Sequence, residues 1–268
     1  MSASSSFAPE AHIRGIYTRL SGDWGPQHWW PAQSRFEVIV GAFLTQNTNW
    51  SNVEIAIRKL RSARVLSVAG IRAISLEDLQ QLIRSSGYFR QKASRLKAFI
   101  SFLDESYRGS LTRMFSQPTA LLREQLLSLN GIGPETADSI LLYAGQRPVF
   151  VVDAYTRRLA ARHHIAAEKA TYEELRILFE RALANITWPQ SSSAPRSGGA
   201  SHPPSRMSLA RRGVSAQVFN EMHGFIVGVG KTYCRKSQPD CEHCPLKCFL
   251  PAPQHSAPLQ SARRAARI

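Results

Sequence analysis

A chain of 268 residues, 43% of them hydrophobic, carries enough apolar side chains to bury a core, which excludes a disordered or fibrous protein and leaves room for one large or two modest domains. No apolar run reaches the roughly 18 to 20 residues needed to span a bilayer, and the stretch from Met1 to Ser6 lacks the charged and apolar regions of a signal peptide. These features predict a cytoplasmic protein with no membrane partner. Thirty-four Lys and Arg against nineteen Asp and Glu leave a net charge of +15, a field that attracts polyanions over a Debye length. Nucleic acid is the natural partner for such a chain, although a basic tail produces the same number.

Helical periodicity dominates from the N-terminus on. Amphipathic stretches fall near 35–46, 76–84, 91–105, 120–129, 135–144, 154–163 and 216–229. Two capping boxes, Ser51 with Glu54 and Thr171 with Glu174, open further segments with apolar residues at helical spacing: Val53, Ile57 and Leu60 in one, Leu175, Leu178 and Ala182 in the other. Only Val149 to Val152 reads as extended, and four residues do not make a sheet, so the predicted fold is all-α. No acidic residue stands between Glu180 and Glu221, and the Ser-, Pro-, Gly- and Arg-rich part from 189 to 212 is predicted to be a mobile basic insertion. The stretch from 251 to 268 has the character of a flexible tail.

Chemistry concentrates at three places. In Leu129-Asn130-Gly131-Ile132-Gly133-Pro134-Glu135-Thr136-Ala137, two glycines allow a tight turn and Pro134 suits the first turn of a helix, where exposed N–H groups bind anions. The same Gly-x-Gly also serves as an ordinary turn between core helices. Asp153 follows the apolar run and precedes a helical pattern, a place that fits both a helix N-cap and a reacting carboxylate. All four cysteines, Cys234, Cys241, Cys244 and Cys248, fall within fifteen residues, a grouping that suits a metal loop, either a [4Fe–4S] cluster or a zinc ion, better than disulfides.

Taken together, these residues resemble the endonuclease III superfamily of DNA glycosylases, whose signature is a helix-hairpin-helix, a Gly/Pro-rich loop and a catalytic aspartate. The resemblance covers roughly residues 27 to 250. Trp29-Trp30-Pro31, Phe36-Glu37, Leu44-Thr45-Gln46-Asn47-Thr48, the hairpin with Glu135, Ala137-Asp138 and His223-Gly224 look most like the 3-methyladenine DNA glycosylase III branch. The resemblance implies a two-domain fold: a six-helix barrel over 35–147, and a second domain from 1–34 and 148–268 that carries an iron–sulfur loop. The cleft between them receives an extruded base.

It implies Asp153 as catalytic carboxylate, Gln46, Asn130, Gly131, Gly133 and Thr136 as DNA contacts, and Trp29, Trp30 and Glu135 at the base pocket. The four cysteines would hold a structural [4Fe–4S] cluster, with zinc as the alternative; their last interval of three residues is shorter than the family's. Glu135 stands where bifunctional members carry a nucleophilic lysine, which implies water as nucleophile and no lyase step. It equally suits the positive end of its helix. Adjacent tryptophans and His223 also read as plain packing residues.

The implied partner is double-stranded DNA with a damaged base, bound by a monomer at the nucleoid, and an alkylated purine heads the substrates. Oxidised pyrimidines, or thymine or uracil in mismatches, are the alternative, and a non-catalytic DNA-binding protein is a further one.

Overall fold

The computed structural model describes residues 8–187 and 202–251, and all regular structure among them is helical. In chain order the helices are α1 (Pro9–Trp24), α2 (Arg35–Leu44), α3 (Trp50–Ser62), α4 (Val68–Ala73), α5 (Leu76–Leu82) and α6 (Phe89–Tyr107). There follow α7 (Leu111–Phe115), α8 (Thr119–Ser128), α9 (Pro134–Ser139), α10 (Ala154–Arg162), α11 (Tyr172–Leu183) and α12 (Val214–Thr232). None of these helices is long and apolar enough to cross a membrane.

Side-chain caps set many of the starts. Ser34, Ser67, Ser75, Ser110 and Thr171 each accept from the backbone N–H three residues on, and Thr171 with Glu174 completes the expected capping box. The box expected at Ser51 does not form. α3 begins one residue earlier, at Trp50, and Glu54 accepts from the Trp50 indole instead, at 2.9 Å. The run Val149–Val152 is extended and buried, yet it joins no sheet, because its donors go to α11: Phe150 N–H to Glu180 and Val152 N–H to the Tyr172 hydroxyl.

The expected six-helix barrel is corrected by the packing. Every residue of α2 from Phe36 to Leu44 is buried, and a helix without a polar face must lie inside a bundle. α3, α6, α9 and the π-helical turn Ile140–Ala144 pack around it, so the described helices wrap one buried helix and do not close as a barrel. Towards the C-terminus, α1 packs on α11 and α12, and α10 packs on α12.

The loop between α1 and α2, which carries the tryptophan pair, is pinned from two sides. On α12, the buried Glu221 carboxylate accepts from Gln27 N–H at 2.7 Å and the Asn220 amide donates to the Trp29 carbonyl. From the other side Ser205 Oγ accepts from Ala32 N–H and Met207 N–H donates to the Ala32 carbonyl. Of the stretch 189–212, residues 189–201 lie outside the described residues, while Ser205, Met207 and Ser208 are buried against this loop. The tail from 252 onwards also lies outside the described residues.

A second pin joins the hairpin helices to the rest. Asp138 on α9, fully buried, accepts from Arg123 of α8 through both oxygens, at 2.7 and 3.0 Å, and from the Tyr172 hydroxyl of α11 at 2.9 Å. Arg123 also donates to Glu173, so one guanidinium bridges α9 and α11. Removing one partner of such a buried pair strands the other charge, so Asp138→Ala is expected to lower unfolding stability by about 3 to 5 kcal/mol in urea titration. Wild-type stability would show that the pin holds nothing.

Burial raises the Glu221 carboxyl from 4.5 to about 7, against the opposing pull of Gln27 N–H, Arg212 and Gln217. A carboxyl whose pKa is raised on folding binds its proton more tightly in the folded chain, so its stabilisation is present below pH 4.5 and is lost as pH rises to about 7. At about 1.4 kcal/mol per unit the loss is on the order of 3 kcal/mol. Glu221→Gln keeps the acceptor and should gain on wild type at about pH 8 but not at about pH 4. Parallel stability curves for the two proteins would contradict this account.

Candidate active site

The hairpin is built by backbone conformation that only its glycines supply cheaply. Gly131 has φ +82°, and a Cβ at that position would fall 1.9 Å from Arg95 Nε, so both the turn and the arginine packed on it require glycine. Gly133, in extended conformation, is the N-cap of α9, and Pro134 occupies the first turn. Gly133, Pro134 and Glu135 are exposed, which leaves the start of α9 open to an anion. Asn130 is exposed too and lines a recess with Arg90, Ser94 and Arg95.

Gln46 is joined to this hairpin. Its amide nitrogen donates to the Gly131 carbonyl at 3.0 Å and to Thr136 Oγ1 at 2.9 Å, and its amide oxygen accepts from Arg95 at 2.8 Å. Four predicted contact residues, Gln46, Gly131, Gly133 and Thr136, therefore stand in one cluster, with Asn130 at its rim.

Asp153 is the N-cap of α10. Its Oδ1 accepts from Thr156 N–H at 2.7 Å and from the Thr156 hydroxyl at 2.9 Å, which fixes that oxygen and leaves Oδ2 facing His223 Nε2 at 3.6 Å. Glu135 lies within electrostatic reach. Its side chain meets solvent but is hemmed in by protein, and that desolvation, with the Asp153 charge adding to it and Arg157 opposing, raises its carboxyl from 4.5 to about 7.

The two tryptophans separate. Trp30 lines a cavity of about 280 Å³ with Pro31, Trp50, Glu54, Glu37 and Arg61, and its ring meets Trp50 edge-on at 5.0 Å. Trp29 packs towards His223, with ring centroids 6.0 Å apart. Glu135 does not line the Trp30 cavity.

Sequence reasoning read His223 as a packing residue and gave Lys231 and Trp50 no part in the active site. His223 is buried beside Asp153, with Tyr143 hydrogen-bonded to its other ring nitrogen. Lys231 feels the charges of both Glu54 and Asp153, and burial lowers its amine below the usual lysine range. Trp50 forms the second aromatic wall of the cavity. Their places near the site are set by how α12 and the start of α3 pack, which the sequence around each does not show.

The cysteines do not form the expected centre. Cys234 is buried, its sulfur accepting from Arg162 at 3.3 Å, while Cys241 and Cys248 are exposed and all four are free. Among the described residues no group of three or more His, Cys, Asp or Glu side chains is placed to hold a metal ion. This overturns both the [4Fe–4S] cluster and the zinc alternative. The loop is fixed instead by Arg158 and Arg162, which donate to the carbonyls of Cys234, Arg235 and Lys236, and by Leu246, which is fully buried.

Comparison with known proteins gives the family. The profile of the HhH-GPD superfamily of base excision DNA repair proteins matches residues 40–185. A protein of Methanocaldococcus jannaschii assigned by name to the DNA repair glycosylases is 40% identical over 239 residues, covering 88% of this chain and 94% of its own length. Endonuclease III of Thermotoga maritima is 28% identical, over 79% of this chain and 80% of its own. Among solved structures, H. pylori 3-methyladenine DNA glycosylase bound to 1,N6-ethenoadenine superposes with a TM-score of 0.65 at 28% identity, covering 84% of this chain and 98% of that one. With 40% identity to a near full-length relative, the chain belongs to the HhH-GPD superfamily and is a base excision DNA glycosylase of the endonuclease III type.

Proposed function

We propose that this glycosylase is monofunctional: it extrudes a damaged base, an alkylated purine first among candidates, from double-stranded DNA and hydrolyses its N-glycosidic bond with water. The observation that carries this reading is the pairing of Asp153, held by Thr156 through Oδ1, with a carboxyl rather than an amine at Glu135 in the hairpin.

Duplex DNA hides the glycosidic bond, so the nucleotide leaves the stack. The open start of α9 takes a phosphate while Gln46 fills the vacated space. As the C1′–N bond breaks, its electron pair leaves with the base and the Asp153 carboxylate stabilises the sugar cation. Water then forms the C1′–O bond and gives its proton to the carboxylate or to solvent, leaving an abasic site.

The aromatic walls Trp30 and Trp50 suit a cationic alkylated purine, which a ring face attracts by its quadrupole. The similarity to a 3-methyladenine glycosylase that accommodates an ethenoadenine supports the same substrate class. Such a base is already a good leaving group and needs little acid help. A second reading, with a lyase step, has one observation in its favour: the Lys231 amine feels the Asp153 charge.

Asp153→Asn is expected to keep DNA binding but to release base about 100-fold more slowly or worse in single-turnover assays on a methylated duplex. Normal release by this variant would remove the central residue. Wild-type product strands should break only after alkali, with no covalent complex trapped by borohydride; trapping that Lys231→Ala abolishes would establish the lyase reading instead. Gly131→Ala should weaken binding about tenfold through its strained φ, and affinity of the wild type should fall steeply with salt. Salt-insensitive binding would contradict a phosphate grip.

A further inference from the structure

His223 lies on α12 and is 4% exposed, enclosed by the rings of Trp29, Tyr143 and Phe150, with centroids 6.0, 5.9 and 6.5 Å away. A packing residue would be better apolar there, since burying an imidazole leaves two nitrogens to satisfy. One is satisfied: Nδ1 lies 2.7 Å from the Tyr143 hydroxyl. The other, Nε2, is buried with no hydrogen-bond partner and faces only Asp153 Oδ2, at 3.6 Å. That separation exceeds a hydrogen bond, and a small rotation of the carboxylate closes it.

From this geometry we infer that His223, fixed by Tyr143, is a positioning residue that aims and locks the Asp153 carboxylate for the glycosylase reaction. The inference rests on the proposed role of Asp153. Burial holds the His223 ring below the usual histidine range, which keeps it neutral, and holds the Tyr143 phenol well above its own, so the hydroxyl retains its proton. A neutral ring that accepts from Tyr143 at Nδ1 must carry its hydrogen on Nε2, directed at Oδ2. Thr156 then fixes one carboxylate oxygen and His223 the other, so the plane of the carboxylate is set before substrate arrives. A reacting group held this way avoids reorientation in the transition state.

The test combines substitution with a direct reading of the tautomer. In 15N-histidine-labelled protein, His223 should appear as the Nε2–H tautomer, and Tyr143→Phe should disturb that signal. His223→Leu should slow single-turnover base release about 10- to 100-fold with unchanged affinity for duplex carrying an abasic-site analogue. His223→Gln, whose amide nitrogen can stand near Nε2, should recover most of the rate, a rescue that a merely structural role would not give. In an Asp153→Asn background, His223→Leu should add nothing further.

An Nδ1–H tautomer, no rescue by Gln, or an additive loss in the Asp153→Asn background would each overturn the inference. If His223→Leu fails to fold, Tyr143→Phe, which keeps the ring, decides the matter: it should slow release at unchanged affinity, and a wild-type rate would refute the inference. Full activity of Asp153→Asn alone would instead mean that the underlying reading of Asp153 has failed.

Discussion

The buried carboxylate of Asp138 fixes the spacing on which the site depends. It receives Arg123 from the first hairpin helix and Tyr172 from α11, and the same Tyr172 hydroxyl accepts from Val152 N–H, one residue before Asp153. Hairpin and aspartate, though separated in sequence, are therefore attached to one another through a single phenol. A shift of the hairpin relative to α11 must break a charged hydrogen bond in the interior, where an unpaired charge costs several kcal/mol. Such a connection keeps the hairpin turn and the Asp153 carboxylate, the proposed phosphate grip and reacting group, in constant register without a continuous secondary-structure element between them.

What could be read from the sequence was local. Gly131, Gly133 and Pro134 announce their turn because conformational freedom and a missing donor are properties of those residues alone, and Asp153 was legible as an N-cap for the same reason. Thr171 and Glu174 formed their box; Ser51 and Glu54 did not, because the Trp50 indole offered Glu54 a closer donor. The cysteine spacing suggested a metal loop, but spacing along the chain does not fix where sulfurs end up, and arginine bonds to the loop carbonyls determine its shape here. The barrel was what the resemblance implied, whereas the described helices wrap the buried α2 without closing as one. His223 meets Asp153 only through the packing of α12 on α10, and no window of sequence contains that information.

The charge distribution has a consequence of its own. A chain of net charge +15 nevertheless concentrates carboxylates where the chemistry is proposed to occur: Asp153 and Glu135 at the hairpin, Glu54 and Glu37 along the aromatic cavity. Arg61, paired with Glu37 at 2.7 Å, and Arg58 share that cavity, while further basic residues lie outside the site, with Arg90 and Arg95 in the recess beside Asn130 and Arg84 in a neighbouring one. The two signs address two parts of one ligand. Phosphates carry negative charge and are attracted to the basic surround, whereas a sugar cation gains from the Asp153 carboxylate.

Gln46 sits at the border between these regions, and its bonding bears on how extrusion is coupled to grip. Its amide makes three bonds, to Gly131, Thr136 and Arg95, and at about 1 kcal/mol net per bond its withdrawal costs a few kcal/mol. As the proposed gap-filling residue it would leave the hairpin only where new partners offset that cost, and an intact, stacked base pair offers none. An extruded nucleotide does, since it leaves an unpaired base edge opposite. The tether therefore makes entry of Gln46 a consequence of extrusion at a weakened pair rather than its cause, and the hairpin can hold phosphate along undamaged DNA while its glutamine stays in place.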